Sequence, residues 1–355
     1  MASSFGENLK LSIFGTSHGP NIGMTLEGIP AGLPVDLEKL QGFLNRRAPG
    51  QNSWSTSRKE ADMPVFESGI AGGFTTGDPI TATIANTNVK KSDYDELKYI
   101  PRPGHADFAA WMKYGLDYDM SGGGPFSGRM TAPMCIAGGL CKQWLEAKGI
   151  RIGAHIFCMS DIYDVTFDPL VPQLDNVLSP FPVLHERSAE IMLEYIAEEK
   201  DDNNSIGGTI ECAIVGLPAG IGEPIFGSIE ASIAQIVYSI PAAKGIWFGS
   251  TGLTGSMNND EYIIADGQVR TRTNHCGGIL GGISTGMPII FCVDMKPTPS
   301  IGKPQKSVNL KTMEEVTIAI KGRHDPCIVP RAVPVVEAAA AIAIYDLILG
   351  NNRND

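Results

Sequence analysis

This sequence contains one strand–turn–helix pattern twice, which limits the folds open to it. NIGMTLEGIPAGL begins at Asn21 and SIGGTIECAIVGLPAGI begins at Ser205. Both combine Ile-Gly, a threonine-containing strand pattern and a Gly-(Ile/Leu)-Pro-Ala-Gly turn, and both are followed by an amphipathic helix pattern and a small cationic loop, RRAPG or PAAKG. The recurrence predicts an internal duplication near residues 21–50 and 205–245, and hence a pseudo-symmetric domain. Chance similarity between two strand–turn–helix units is the alternative.

Strand and helix patterns mix along the whole chain without separating into halves. Apolar periodicity predicts strands over 10–14, 80–85, 151–157, 289–293 and 316–320. It predicts helices over 37–47, 131–148, 186–200, 228–240 and 333–349, the first capped by Asp36 and the last ended by Gly350. Because no linker or low-complexity run divides the chain, we expect a single α+β domain over residues 1–355, with antiparallel or mixed sheets.

The charge distribution indicates a small anionic ligand. The formal net charge of −11 argues against a nucleic-acid partner, since a phosphate backbone requires a basic surface. No GxxxxGK[ST] motif is present, and GGGPFSG follows a polar segment rather than a strand, so both common nucleotide fingerprints fail. Cations nevertheless stand in Gly/Pro-rich loops, which favours binding of a small anion: Arg46, Arg47, Arg58, Lys59, Arg102, Arg129, Lys296, Arg323 and Arg331.

Cysteine usage and the N-terminus predict a soluble cytoplasmic protein. The seven cysteines include no CxxC pair, so neither a disulfide framework nor a metal site is expected. The opening MASSFGENLK lacks the apolar core of a signal peptide. The longest uncharged run, residues 276–293, is rich in Gly, Ser, Thr and Pro and would make a poor membrane helix, so no membrane partner is expected.

Residues 101–131, PRPGHADFAAWMKYGLDYDMSGGGPFSGRMT, carry the strongest signal for a functional site. Prolines on both sides of Arg102 restrict the backbone, and Gly104 permits a tight turn just before His105. The triple glycine removes side chains where a ligand or another backbone must come close, and Arg129 follows it. An imidazole and two guanidiniums on such a frame indicate an anion site with proton transfer. A Gly-rich surface loop with incidental charges is the alternative.

A set of motifs in fixed order resembles the chorismate synthase family. The motifs are GTSHG, RRAPG, RPGHADF, SGGGPFSGR, SIGG, NHCGGILGGISTG, KPTPSI and GRHDPCIVPRAVP. The resemblance extends from Phe14 to the final helix. It implies a single-domain sandwich of helical and sheet layers with internal pseudo-twofold symmetry, which fits the repeated pattern, and a homotetramer.

The resemblance also implies a reaction. Members of this family convert 5-enolpyruvylshikimate 3-phosphate to chorismate by a 1,4-elimination of phosphate, the last step of the shikimate pathway to chorismate, and they need reduced FMN (FMNH2) although there is no net redox change. A substrate with a phosphate and two carboxylates requires several guanidiniums, a general acid for the leaving phosphate and a base for the ring hydrogen. No nicotinamide fingerprint is visible, which favours an external flavin reductase over reduction of the flavin by NADPH on this chain.

The family motifs suggest specific roles for residues of this chain. His18 would donate a proton to the leaving phosphate, His105 would face the reduced flavin, and Asp325 would assist proton removal. Substrate binding is expected from Ser17, Arg47, Arg102 and Arg129. Flavin binding is expected from Phe126, Ser127, Ala242, Gly281, Lys296, Pro297, Thr298, Pro299, Ser300 and Arg323.

The remaining candidates have plainer interpretations. His155 and His185 are predicted to be structural or solvated, His275 and His324 to shape the site, and Asp107 to cap the following helix. The chain departs from the usual family pattern at Thr16, Ala48, Ser53, Ser121 and Pro125, which removes charge from the expected anion site. These departures motivate a second hypothesis, a catalytically weakened flavin- or anion-binding relative. A third is an acidic structural or interaction protein.

Overall fold

Two antiparallel five-stranded sheets, with helices packed between them, form the fold in a computed structural model of the chain. The structure describes residues 3–50, 52, 54–55, 60–87, 97–250, 252–320 and 325–351. The strands are β1 Ser4–Phe5, β2 Lys10–Gly15, β3 Asn21–Glu27, β4 Val65–Ser68, β5 Ile70–Ala71, β6 Phe74–Thr75, β7 Ile80–Ala85, β8 Arg151–Met159, β9 Ile162–Tyr163, β10 Gly208–Val215, β11 Ala243–Phe248, β12 Tyr262–Ala265, β13 Gln268–Thr271, β14 Ile279–Leu280, β15 Ile283–Ser284, β16 Ile289–Met295, β17 Gln305–Asn309 and β18 Glu314–Ile318. The helices are α1 Leu37–Arg47, α2 Asp107–Tyr114, α3 Thr131–Glu146, α4 Glu186–Asp201, α5 Ile229–Val237, α6 Gly255–Asn258 and α7 Val329–Asn351.

The strand order is β1-β2-β3-β7-β4 in the first sheet and β11-β16-β10-β8-β9 in the second. All neighbours within these two sheets are antiparallel. The remaining strands form two-stranded hairpins, β5–β6, β12–β13, β14–β15 and β17–β18. The predicted α+β fold is therefore confirmed, with antiparallel sheets rather than a doubly wound one.

Helices α3 and α7 form the centre of the molecule. Helix α3 packs on β3 and β7 of the first sheet, and α7 packs on β8 and β10 of the second. Their backbones come very close at Gly138, where an added Cβ would lie 2.3 Å from the Cβ of Ala338. Residues 131–141 of α3 are all buried, so this helix is apolar on every side and forms a shared core for both sheets.

Helix α7 begins earlier and ends later than predicted. Pro330 lies in its first turn, where proline is tolerated because no intrahelical N–H bond is required there. Gly350 does not end the helix, which continues to Asn351; a Cβ at Gly350 would lie 2.6 Å from Asn8 Nδ2, so the glycine permits close packing. Among the described residues, α7 alone is long and apolar enough to cross a membrane. However, 89% of its apolar 18-residue stretch is buried inside the fold.

Other predicted elements also differ in their bounds, and for two of them the structure shows the reason. The predicted helix over 228–240 is Ile229–Val237, because Ser228 is its N-cap and its side chain accepts a hydrogen bond from Ala231 N. Its end is tightened by i→i+3 bonds from Ser239 N and Ile240 N just before Pro241. The strand predicted over 316–320 is Glu314–Ile318, because hairpin pairing aligns Asn309 with Glu314.

The two copies of the repeated pattern occupy corresponding positions. Each supplies the middle strand of its sheet, β3 in the first and β10 in the second. The turns match in backbone conformation: φ is +82° at Gly28 and +86° at Gly216, and it is +84° at Gly32 and +95° at Gly220. The following helices, α1 and α5, both begin at a side-chain N-cap. This correspondence agrees with an internal duplication, which stays a prediction, as does the single-domain organisation.

A buried ionisable cluster fastens the segment before α4 to the second sheet. His155 Nε2 lies 2.8 Å from Glu211 Oε2, and His155 Nδ1 lies 3.4 Å from Asp164 Oδ2. Glu211 also accepts from Phe167 N at 2.7 Å. Burial alone would lower the pKa of His155, but hydrogen bonds to the two carboxylates outweigh burial and raise it. The predicted structural role of His155 therefore has a physical basis in this cluster.

Replacing His155 by glutamine should destabilise the protein most at low pH. The folded-state pKa of His155 is raised, so the stabilisation by its charged ring is complete below the ordinary value of about 6.5 and is lost as pH rises through the folded-state pKa. Urea unfolding at about pH 6 and about pH 9, on either side of that range, should show a larger difference between wild type and variant at the lower pH. An equal difference at both values would contradict a charged ring.

Candidate active site

One cavity of about 540 Å³ collects most of the predicted site residues. Its walls come from the end of α1, the turn before α2, the glycine loop before α3, the loop between α5 and β11, the segment after β16 and the start of α7. The predicted residues that line it are Arg47, Arg102, His105, Phe126, Ser127, Arg129, Ala242, Lys296, Thr298, Pro299, Ser300 and Asp325.

The glycine loop brings the two predicted catalytic histidines together. Its three glycines have φ values of +59°, +86° and +52° at Gly122, Gly123 and Gly124, a left-handed path that favours glycine. A Cβ at Gly122 would lie 2.0 Å from the His18 ring, and a Cβ at Gly123 would lie 3.1 Å from His105 Nε2. The two rings therefore lie against consecutive residues of one loop.

The GTSHG turn is fastened to the same loop. Ser17 N donates to Gly124 O at 3.4 Å, and Ser17 Oγ lies 3.2 Å from His18 Nδ1. Asn86 Nδ2 donates to the carbonyls of Thr16 and Gly19. Ser17 and His18 therefore have fixed positions beside the cavity, although neither is among the residues that line it.

Arg47 and Arg129 share a buried carboxylate. Arg47 Nη1 and Arg129 Nη1 each donate to Asp62, whose side chain is fully buried. Arg129 Nε lies 3.1 Å from Glu60 Oε2 and also donates to Asn86 Oδ1 at 3.1 Å. Burial alone would raise the pKa of Asp62, but the charges of both arginines outweigh burial and lower it. The carboxylate therefore stays charged and holds the guanidiniums side by side.

One donor of this cluster has no partner within the part of the chain that the structure describes. Arg129 Nη2 is buried and donates to no acceptor among the described residues. A buried guanidinium donor that lacks an acceptor costs free energy unless an anion completes it. Since Arg129 lines the cavity, this atom indicates an anionic ligand.

Arg331 links Asp325 to the arginine cluster. Its Nη1 donates to Asp325 Oδ2 at 2.5 Å, and its Nε donates to the carbonyl of Arg47 at 2.9 Å. Asp325 lies just before α7 and Arg331 lies in its first turn, and both side chains line the cavity. The predicted base is therefore held by an ion pair at the cavity wall.

The RPGHAD turn forms a second ion-pair cluster. Arg102 Nε and Nη2 each donate to the Asp107 carboxylate at 2.7 Å, and His105 Nδ1 lies 2.7 Å from Asp107 Oδ1. The predicted capping role of Asp107 is wrong: the N-cap of α2 is Ala106, which makes no side-chain cap. The Asp107 carboxylate instead forms hydrogen bonds with Arg102 and His105, which bind it more strongly than a helix N–H would.

The expected flavin-binding residues are only partly brought together. Lys296 Nζ donates to Gly104 O, and Lys296 N donates to Ala242 O at 2.9 Å, which joins two walls of the cavity. Ala242 has φ +78°, a left-handed conformation uncommon for alanine. Pro297 lines a neighbouring cavity of about 490 Å³. Gly281 lies in the turn between β14 and β15 and lines neither cavity. Arg323 lies outside the described residues.

Among the other histidines that the structure describes, none lines the cavity. His185 is the N-cap of α4, with Nδ1 accepting from Arg187 N at 3.2 Å, so it has the predicted structural role. His275 Nδ1 lies 3.3 Å from Asp260 Oδ1, away from both cavities. His324, like Ser53, lies outside the described residues.

The departures from the family pattern differ in position. Pro125 lines the cavity, whereas Ala48 is buried and ends α1 by donating from its N–H to Leu44 O. Ser121 N donates to Asp119 Oδ1 at the start of the glycine loop.

Sequence reasoning missed several side chains of the site. They are Glu60, Asp62, Asn86 and Lys244, together with the pairing of Asp107; Arg331 was counted among the loop cations but had no role assigned to it. The run RKEAD was a usable signal for the first two, because its acids stand close to cations with which they could form ion pairs. Lys244 stands in PAAKG, the counterpart of RRAPG, so the repeat itself pointed to it.

Comparisons with known proteins agree with one another. The family model described as chorismate synthase matches residues 9–349. A chorismate synthase from Lancefieldella parvula is 48% identical over 98% of this chain and 96% of its own length, and one from Korarchaeum cryptofilum is 43% identical over 98% of each. A crystal structure of chorismate synthase superposes with a TM-score of 0.78 and 28% identity, covering 98% of this chain and 93% of that one.

Proposed function

Because this chain belongs to the chorismate synthase family, a family of lyases in the shikimate pathway, we propose that it eliminates phosphate from 5-enolpyruvylshikimate 3-phosphate to give chorismate. In this proposal it is a carbon–oxygen lyase acting on a phosphate ester, and the elimination is an anti-1,4 one. One observation carries the assignment of the site: two histidine rings lie against consecutive glycines, and one of them, His105, lines the same cavity as Arg47 and Arg129. The alternative of a weakened, non-catalytic relative is not favoured by the comparisons.

Substrate anions would bind to the arginine side of the cavity. Arg47 and Arg129 are aligned by Asp62, and Arg129 Nη2 is a buried donor that lacks an acceptor among the described residues. Planar guanidiniums match carboxylate and phosphate oxygens in pairs of hydrogen bonds. Arg102 also lines the cavity and would add positive charge there, although Asp107 already accepts hydrogen bonds from two of its guanidinium nitrogens.

Proton transfers would use the two histidines and Asp325. His18, whose Nδ1 lies 3.2 Å from Ser17 Oγ, would protonate the leaving phosphate and so remove the charge that develops on it. His105, which lines the cavity beside Gly123, would take part in proton transfer there. Asp325, held by Arg331, would assist removal of the ring hydrogen.

The residues around Lys296 fit a reduced FMN. Thr298 Oγ1 is buried without a hydrogen-bond partner among the described residues, and Lys296 and Lys244 supply positive charge for a phosphate. Burial and the neighbouring charge of Lys244 both lower the pKa of Lys296. A bound anion would offset both effects by stabilising the charged form of Lys296. Phe126, Ser127, Ala242 and Ser300 would complete the binding surface. When bound, reduced FMN would lend electron density to the elimination and regain it afterwards.

The wider setting of the protein belongs to the same proposal. We expect a cytoplasmic homotetramer that receives reduced flavin from an external reductase rather than from NADPH bound by its own chain. All seven cysteines are free, which suits a reducing compartment.

Anaerobic turnover of 5-enolpyruvylshikimate 3-phosphate with chemically reduced FMN tests the activity, with phosphate and chorismate followed together. Equal release of both products is expected from wild type, and loss of a general acid should lower turnover by about 10²- to 10⁴-fold in His18→Ala. His185→Asn is a matched control, because His185 is an N-cap and asparagine also caps helices. Flavin binding without either product would contradict the proposal.

A further inference from the structure

The side chain of Asp107 lies behind His105 on the side away from the glycine loop. We propose that Asp107 is a positioning residue that fixes the tautomer of His105, with hydrogen on Nδ1 and the lone pair of Nε2 facing the glycine loop. Nothing in the family resemblance assigned this role, since the sequence predicted only a helix cap. The catalytic part of the test rests on the proposed function, whereas the tautomer does not.

Hydrogen-bond chemistry determines which ring nitrogen carries the hydrogen. His105 Nδ1 lies 2.7 Å from Asp107 Oδ1 and 3.1 Å from Arg102 Nη2. An ionised carboxylate only accepts hydrogen bonds, so the shorter contact requires a hydrogen on Nδ1. A bare Nδ1 would place its lone pair against a carboxylate oxygen at hydrogen-bond distance. The geometry therefore favours the Nδ1–H tautomer.

The carboxylate is itself held in place and kept ionised. Asp107 is 2% exposed and accepts from Arg102 Nε, Nη2 and the Arg102 backbone N–H, at 2.7, 2.7 and 3.0 Å. Burial alone would raise the pKa of Asp107, but hydrogen bonds from Arg102 and His105 outweigh burial and hold it well below its usual range. Arg102 thus acts as an anchor for Asp107, and its Nη1 reaches Ser300 Oγ at 3.4 Å.

The other ring nitrogen faces the site. A Cβ at Gly123 would lie 3.1 Å from His105 Nε2, and the His105 ring lines the cavity. Burial lowers the pKa of His105, the charges of Arg102 and Lys296 lower it further, and the bond to Asp107 raises it without overcoming them. A neutral ring with hydrogen on Nδ1 presents Nε2 as a proton acceptor.

Asp107→Asn should reverse this arrangement. The amide keeps the shape but can donate to Nδ1 while its oxygen accepts from Arg102, which moves the hydrogen to Nε2. A comparable carboxylate-to-amide change behind a histidine costs about 10⁴-fold in kcat, so we expect a fall of about 10²- to 10⁴-fold with KM little changed. The acidic limb of the pH profile should move to lower pH, because the group that raises the His105 pKa is lost. Asp117→Asn is the control, since Asp117 is an exposed neighbour bonded to Tyr99.

The tautomer is measured directly by long-range ¹H–¹⁵N spectra of the full-length protein labelled with ¹⁵N-histidine, with His105 assigned from a His105→Gln sample. An Nδ1–H signal in wild type and an Nε2–H signal in Asp107→Asn are expected. An Nε2–H tautomer in wild type overturns the proposal even if the variant fails to fold. Lower kcat with an unchanged tautomer also overturns it, because Asp107 would then be merely structural. Wild type that shows the Nδ1–H tautomer but no turnover would count against the proposed function alone.

Discussion

Replacing Gly122 by alanine should lower turnover by at least about 100-fold while leaving the fold intact, because displacement of a catalytic group by about 1 Å costs that much. The new Cβ would lie 2.0 Å from both Cε1 and Nδ1 of the His18 ring. The ring is the end of a side chain, so it can rotate away at little cost to the fold, but the proton donor then leaves its position. Steady-state phosphate release with reduced FMN measures the effect.

Gly72→Ala separates this clash from backbone strain. Gly72 has φ +58°, almost the same as the +59° of Gly122, and an added Cβ there would have no atom within 4 Å. Alanine in this left-handed conformation costs about 1–2 kcal/mol at either position. Stability should therefore fall similarly in both variants, and turnover should fall only in Gly122→Ala. Wild-type turnover in Gly122→Ala would show that the His18 ring does not depend on this loop.

Asp62→Ala should lower the free energy of unfolding by about 3–5 kcal/mol, the usual cost of removing one partner from a buried ion pair. Its side chain is fully buried, and both Arg47 and Arg129 donate to it. The substitution leaves two adjacent guanidiniums without their shared carboxylate, so they repel each other as well. Urea unfolding at neutral pH measures the loss, which is a large part of the stability of a typical domain.

Inorganic phosphate provides a specific check on that result. An anion bound between the two guanidiniums would replace the lost carboxylate, so phosphate should stabilise Asp62→Ala more than wild type. Asp175→Asn is the matched control: Asp175 pairs with Arg151 at the surface, with side chains 80% and 52% exposed, and its loss should cost no more than about 1 kcal/mol. If the free energy of unfolding fell equally in the two variants, the buried Asp62 cluster would contribute no more to stability than a surface ion pair.

The parts of the site that were predictable are those whose residues stand in short ordered motifs. His18 and His105 lie in turns that glycine and proline restrict, and the triple glycine indicated a close approach. The structure adds that the approach is made by the histidines themselves, at Gly122 and Gly123. Sequence spacing could not show this, because His18 and Gly122 are brought together only by the packing of separate elements.

Asp62 and Asp107 show where sequence reasoning stops. A carboxylate can pair with any cation that the fold brings near it, and Asp62 pairs with Arg47 and Arg129 from different elements. Asp107 stands at the first position of a helix, where a local rule predicts capping, but Arg102 and His105 offer charged and ring donors that bind it more strongly than a backbone N–H. Helix α7 was predictable as buried because its apolar residues cover every face, and only its ends differed.

The cationic loops after the two copies of the repeated pattern converge on the same place. Arg47 from RRAPG and Lys244 from PAAKG both line the cavity of about 540 Å³. In the proposed function, Arg47 of one copy would bind a substrate anion and Lys244 of the other would bind the flavin phosphate. Since each copy of the pattern supplies only one wall of this cavity, the proposed activity would require both copies to be packed correctly against each other.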